Sequence, residues 1–285
     1  MFVEQIFPAV VEAKGSLPEC LAFDARSAGM AEDQIAILLA VVPPGLLRAS
    51  CFLDRMTGFW RYEFGEPFYL EKSNQLLWGT HMWVPVWQLR EGLAAMLTYV
   101  ADDKRALFLA RLDDPQKHLD ALSEMVPVLR LENGTLAEFE IAGTGHGNTT
   151  VDWQIDPPAQ RRILVDVKYR AVDLIRQLDQ LPEGQRVPEP AHDPALLFRS
   201  VENKFGMADP DTCLQGVWIV TNIQQEGSEL VDAFAGLAAA KVHFAILGDW
   251  ERDAHILVRR EEDRPILFKS FGLEESGRFT FARAQ

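Results

Sequence analysis

Only three cysteines, Cys20, Cys51 and Cys213, occur in 285 residues, and no two are close enough to form a C-x-x-C pair. That scarcity excludes a disulfide framework and a cysteine-rich zinc site, and it points to a reducing, cytoplasmic setting. The six histidines never fall at metal-ligand spacing. H-E-x-x-H, the Walker phosphate loop and the G-x-S-x-G elbow are all missing, so zinc-hydrolase and serine-hydrolase chemistry have no support. Long apolar runs are missing too: the longest, "IAILLAVVPPGLL", is broken by two prolines, and Glu4 stands where a signal peptide wants positive charge. Neither a membrane span nor an export signal is expected.

Basic charge is also in deficit. Lys and Arg number 28 against 42 Asp and Glu, a net charge of -14. A surface that grips a polyanion over its whole extent is therefore excluded, because phosphate affinity rests on Lys and Arg. The exception is local. Residues 151–186 hold equal numbers of acidic and basic side chains, whereas the segments on either side are net negative.

The composition, 48% hydrophobic and 25% charged, is that of an ordinary globular chain with one large domain or two moderate ones. Residues 1–105 read as a mixed, aromatic-rich region, with short strands and hairpins through "GFWRYEFGEPFYLEKSNQLLWGTHMWVPVW". Residues 106–285 read as an α/β domain. Its expected order begins with a strand, "ALFLARL", and a helix opening at Asp114-Pro115. A hairpin about Asn133-Gly134 follows, then a second hairpin across 149–170. The helix "AVDLIRQLDQL", a Pro-rich loop, the helix "ALLFRSVENKF", the strand "GVWIVTNI", the helix "SELVDAFAGLAAA" and the strand "VHFAILGDW" complete it. "RREEDR" near the C-terminus reads as a solvated turn.

The chemistry concentrates in "TTVDWQIDPPAQRRILVDVKYR". A turn centred near Ala159 sets Asp152 opposite Asp166, and alternation puts Val151, Trp153, Ile155, Ile163, Val165 and Val167 on one face. Asp152, Asp166 and Lys168 share the other. Opposed carboxylates repel at about 5 Å, and a hard cation such as Mg²⁺ or Mn²⁺ relieves them while using substrate phosphate oxygens as further ligands. Lys168 would then stabilise charge developing on a phosphate. The competing reading is a polar strand face with an Asp152–Lys168 ion pair of little energetic weight. Acidic-x-Lys triplets occur four times, ending at Lys14, Lys104, Lys168 and Lys204, and only that of Lys168 ends an apolar strand paired with an Asp-bearing one.

"VDW" followed by "DVK", with a helix and a strand behind, resembles the P-D-(D/E)-x-K phosphodiesterase superfamily, the restriction-endonuclease-like nucleases, with Val151 in place of the proline. The resemblance spans about residues 114–223 and implies a core of helix, three strands, helix and strand. It further implies cleavage of nucleic-acid phosphodiesters by a water activated on Mg²⁺ or Mn²⁺, with Asp152, Asp166 and Lys168 as the motif residues. A glutamate often joins such a site from the preceding helix. Glu124 lies on the helix expected here, Glu138 and Glu140 lie on the strand "LAEFEIA", and Glu140 is the choice if that stretch is helical. Arg162, Arg170 and Gln177, with Arg176 beside it, are the substrate-binding candidates. "GTGHGN", with His146, is a connection beside the site and not a dinucleotide loop. The alternative function is a non-catalytic acidic α/β protein that binds a basic protein partner, as an inhibitor or immunity protein does, and the net charge favours it.

Overall fold

The computed structural model describes residues 11–55, 57–64, 67–70, 75–78, 84–144, 149–158, 160–170, 198, 200–221, 227–248 and 250–275. The helix expected over 171–181, with Arg176 and Gln177, the Pro-rich loop behind it and His146 lie outside these residues. The chain divides into two compact units. The first takes the described residues of Met1–Thr98 and Asp102–Leu122, and the second takes Tyr99–Ala101 and the described residues of Ser123–Ala171 and Ala191–Gln285. Residues 106–122 thus belong with the first unit, and the α/β unit begins in essence at Ser123 instead of at residue 106.

In the first unit, β1 (Val11–Ser16), β2 (Ser50–Asp54), β3 (Trp60–Glu63) and β6 (Val84–Pro85) form an antiparallel sheet in that order, and β4 (Pro67–Leu70) pairs with β5 (Gln75–Trp78). The expected short strands are present. Helices α1 (Leu17–Ser27), α2 (Glu32–Ala40), α3 (Val86–Tyr99) and α4 (Asp102–Leu112) complete the unit. α4 replaces the strand read from "ALFLARL". Phe108 and Leu112 are buried at a helical spacing of four while Leu107 is 52% exposed, and Asp102 and Asp103 sit in the first turn, where the helix dipole favours them.

The helix expected from Asp114 starts later, as α5 (His118–Glu124), because the Asp114 carboxylate accepts the Gln116 N–H at 2.9 Å and holds a separate turn. Gly134 takes the left-handed backbone expected of the Asn-Gly pair, with φ of 84°. A strand leaves it on one side only, since Val126–Val128 is a buried 3₁₀ turn containing Pro127.

The second unit is a mixed sheet in the order β13-β12-β11-β10-β9-β8-β7. Its strands are β7 (Leu136–Ala142), β8 (Thr150–Asp156), β9 (Arg162–Arg170), β10 (Cys213–Thr221), β11 (Phe244–Gly248), β12 (Asp253–Val258) and β13 (Glu274–Glu275). β7, β8 and β9 run antiparallel in succession, while β9, β10 and β11 are parallel. On one face Trp218 meets Phe271 of α7 (Arg264–Phe271) edge to face. On the other, Leu164, Val217, Ile219, Ala245 and Leu247 pack against Phe198, Val201, Phe205 and, from α6 (Gly227–Ala235), Phe234. "RREEDR" is more than a solvated turn: Asp263 is buried and takes Arg161, from the end of the 149–170 hairpin turn, at 2.6 Å.

Candidate active site

The expected hairpin register is present: Trp153 pairs with Val165, Gln154 with Leu164 and Ile155 with Ile163. Val151, Trp153, Ile155, Ile163 and Val165 are fully buried. Each buried aliphatic contributes about 1.5–3 kcal/mol, so together they offset the several kcal/mol needed to desolvate a carboxylate on the opposite face. That carboxylate is Asp166, with no exposed surface. Its neighbour on β10 is Val217, and that of Lys168 is Ile219, so the polar residues lie against an apolar bed.

The backbone ladder stops at the Trp153–Val165 pair. Asp152 replaces the next link, its Oδ2 accepting the Val167 N–H at 2.6 Å. A side chain that takes over a main-chain acceptor role is fixed in direction, and here it is fixed beside Asp166. Burial, and then the Asp166 charge, push the Asp152 carboxyl up to about 7, against the opposing pull of Lys204, the Val167 N–H and Lys168.

The two carboxylates do not face each other without compensation. Lys168 Nζ is 2.7 Å from Asp166 Oδ2, and Lys204 Nζ donates to Oδ1 of the same carboxylate. The ion pair of the strand is therefore Lys168 with Asp166, in place of the Asp152–Lys168 pair of the competing reading. Both lysines are about three-quarters covered, with side chains 24% and 26% exposed. Burial depresses Lys204, but the charges of Asp166 and Asp152 outweigh it and leave its ammonium above the ordinary lysine value. Taken as ionised groups, the quartet sums to zero in a chain of net charge -14.

Lys204 is the residue that strand reasoning overlooks. It belongs to the "ENK" triplet, one of the chance-like repeats of the motif, and reaches Asp166 from the turn after the helical residues 198 and 200–202. The available signal was position: a lysine between a helix and the strand that would lie next to β9.

Other candidates separate. Glu138 and Glu140 are on a strand and not a helix. The pairs Phe139–Trp153 and Ile141–Val151 bracket Glu140, which puts it across from Asp152 in the register, in left-handed backbone with φ of 51°. Glu124 approaches from the opposite face, since its backbone carbonyl accepts the Trp153 indole N–H. Arg162 is at the far end of β9, about 20 Å from Lys168 at the usual strand rise, and pairs with Asp156 at 2.8 Å. Arg170 ends β9 on the Lys168 side, opposite Thr221.

Among the described residues no group of three or more His, Cys, Asp or Glu side chains could hold a metal ion. In general a hard divalent cation needs only one or two carboxylates when waters and substrate oxygens complete its shell. Both oxygens of Asp166 are met by ammonium groups, Lys168 at Oδ2 and Lys204 at Oδ1, and Asp152 ionises reluctantly because of its burial and then the Asp166 charge. The Asp152 shift has a stability consequence. A carboxyl raised from its ordinary 3.8 to about 7 favours the folded state at low pH, and that stability is lost as pH rises across the same interval. Asp152→Asn keeps an acceptor for Val167 and cannot ionise, so its melting temperature should exceed wild type by a margin that grows from pH 4 to 7 and then levels off. A margin independent of pH in thermal melts would contradict the assignment.

No described helix is long and apolar enough to cross a membrane. Comparison with protein-family models, with curated proteins and with solved structures gave no match to this chain.

Proposed function

We propose that this protein is a phosphodiesterase of the nuclease type, dependent on Mg²⁺ or Mn²⁺ and acting on nucleic acid in the cytoplasm, with its site at Asp152, Asp166 and Lys168. The observation that carries the reading is the convergence of these three side chains at one end of the β8–β9 ladder, with Asp166 buried and Lys168 in contact with it. The element order adds support. Helix α5, the antiparallel strands β7, β8 and β9, the helical residues 198 and 200–202, and β10 parallel to β9 follow the order of a restriction-endonuclease-like core.

Asp152 and Asp166 would hold the cation, which supplies charge neutralisation at a phosphate and lowers the pKa of water. The protein's own groups do the rest. Asp152 is oriented by the Val167 N–H and needs only to give up the proton that burial lets it keep. Asp166 fixes the Lys168 ammonium, whose charge acts on a phosphate over the apolar bed of Val217 and Ile219, where it is screened less than in water. The local neutrality of the quartet lets a phosphodiester approach in a chain that is acidic elsewhere.

The test is incubation of wild type and Asp166→Asn with single- and double-stranded DNA and RNA in Mn²⁺. Cleavage by wild type that the variant lacks supports the reading. Equal products from both would assign the cleavage to a contaminant, and no cleavage of any substrate would favour the acidic partner-binding protein.

A further inference from the structure

We infer that Cys20 and Cys51, far apart in the sequence, form an oxidisable dithiol that hydrogen peroxide closes to a disulfide within the folded first unit. Both residues belong to that unit, so nothing here draws on the chemistry of Asp152, Asp166 and Lys168.

The chain brings the two sulfurs together by turning from strand to helix without a loop. β1 ends at Ser16 and α1 starts at Leu17. The Glu19 carboxylate closes that corner, accepting the Ser16 N–H at 3.2 Å and the Ser16 hydroxyl at 2.7 Å. Cys20, the next residue, is thereby folded back over Gly15. A Cβ placed on Gly15 would lie 2.8 Å from Cys20 Sγ, so the sulfur fills the space that a side chain at this position would take. Gly15 in turn pairs directly with Cys51 of β2 in the antiparallel register. Directly opposed residues project to one side of a sheet with Cβ atoms about 5 Å apart. The Cys51 side chain therefore points to the side that holds Cys20 Sγ, within the span of one S–S bridge.

Cys51 is fully buried and Cys20 is 3% exposed, so Cys20 is the thiol that a small oxidant reaches. A hydrogen bond with Cys51 lowers the Cys20 thiol below its ordinary value, against burial and the Glu19 charge, while the same contact and burial raise Cys51. The Cys20 thiolate attacks one peroxide oxygen, the O–O bond breaks, and the hydroxide released takes up the proton that Cys20 gave up. The Cys51 sulfur then attacks the sulfenic sulfur of Cys20. The S–O bond breaks, its oxygen leaves as water with the Cys51 proton, and the thiols have lost two electrons to the peroxide.

Peroxide treatment of the full chain, followed by denaturation, alkylation and peptide mapping by mass spectrometry, tests this, with Cys213 as the reference thiol. The expected result is a Cys20–Cys51 linked peptide from monomeric protein, in wild type and in Cys213→Ser alike. The melting temperature should rise by about 5 °C or more and return to its starting value in dithiothreitol, because a bridge that fits the native geometry restricts only the unfolded chain. Alkylation of both Cys20 and Cys51 after peroxide, or a bridge to Cys213 or between chains, overturns the inference. A Cys20–Cys51 link that fails to raise the melting temperature also overturns it, since the bridge would then form only after the fold has opened.

Discussion

Lys168→Met lowers phosphodiester cleavage by about 10²–10³-fold, the usual loss when one preorganised donor to developing charge is removed, and leaves Mn²⁺ affinity unchanged or higher. Both halves of this expectation follow from the same contact. Lys168 Nζ lies 2.7 Å from Asp166 Oδ2 and is 24% exposed, so it is near enough to a carboxylate to be held and open enough to meet a substrate. Methionine keeps much of the length over Ile219 and drops the charge. Single-turnover cleavage together with Mn²⁺ titration checks it. Retained cleavage would remove Lys168 from the chemistry, and lost Mn²⁺ affinity with retained fold would make it a support for Asp166 alone.

The second large effect concerns the sheet that positions the site. Gly216 lies in β10 between Val165 of β9 and Phe244 of β11. A methyl group built there would come within 2.3 Å of the Phe244 carbonyl oxygen and 2.6 Å of its ring. Neither neighbour can yield easily, since the oxygen is backbone and Phe244 is fully buried. Gly216→Ala therefore forces β10 and β11 apart and should destabilise the second unit by about 3 kcal/mol, the upper end for an overpacked core. Urea denaturation followed by tryptophan fluorescence reads this through Trp218, two residues along the same strand. An unchanged midpoint would show that the two strands separate without penalty.

How much of this was legible in the sequence depends on the range of the interaction. The β8–β9 register could be read because Val151, Trp153 and Ile155 alternate with polar residues, and a shift by one residue would have put all of them on the wrong face. That alternation also fixed the shared face of Asp166 and Lys168. "ALFLARL" fits both a strand and a helix over so short a span, and only the burial of Phe108 and Leu112 on one side decides for the helix. The role of Lys204 was not legible, because the turn that carries it meets Asp166 only after β10 has paired with β9. Nor was the carboxylate of Asp152 as acceptor of the Val167 N–H, which depends on where the ladder ends. Arg162 stands apart from the other candidates for a simpler reason. Its proximity in sequence to the motif becomes distance along an extended strand.

The central claim is that Asp152 and Asp166 hold a divalent cation, and calorimetric titration of Mn²⁺ into wild type and Asp166→Asn tests it without requiring the right substrate. The account predicts binding in the micromolar to millimolar range for wild type and none for the variant, with both proteins folded. Binding of equal strength in the two, or in neither, would contradict it and leave the end of the β8–β9 ladder as a lysine-neutralised polar face.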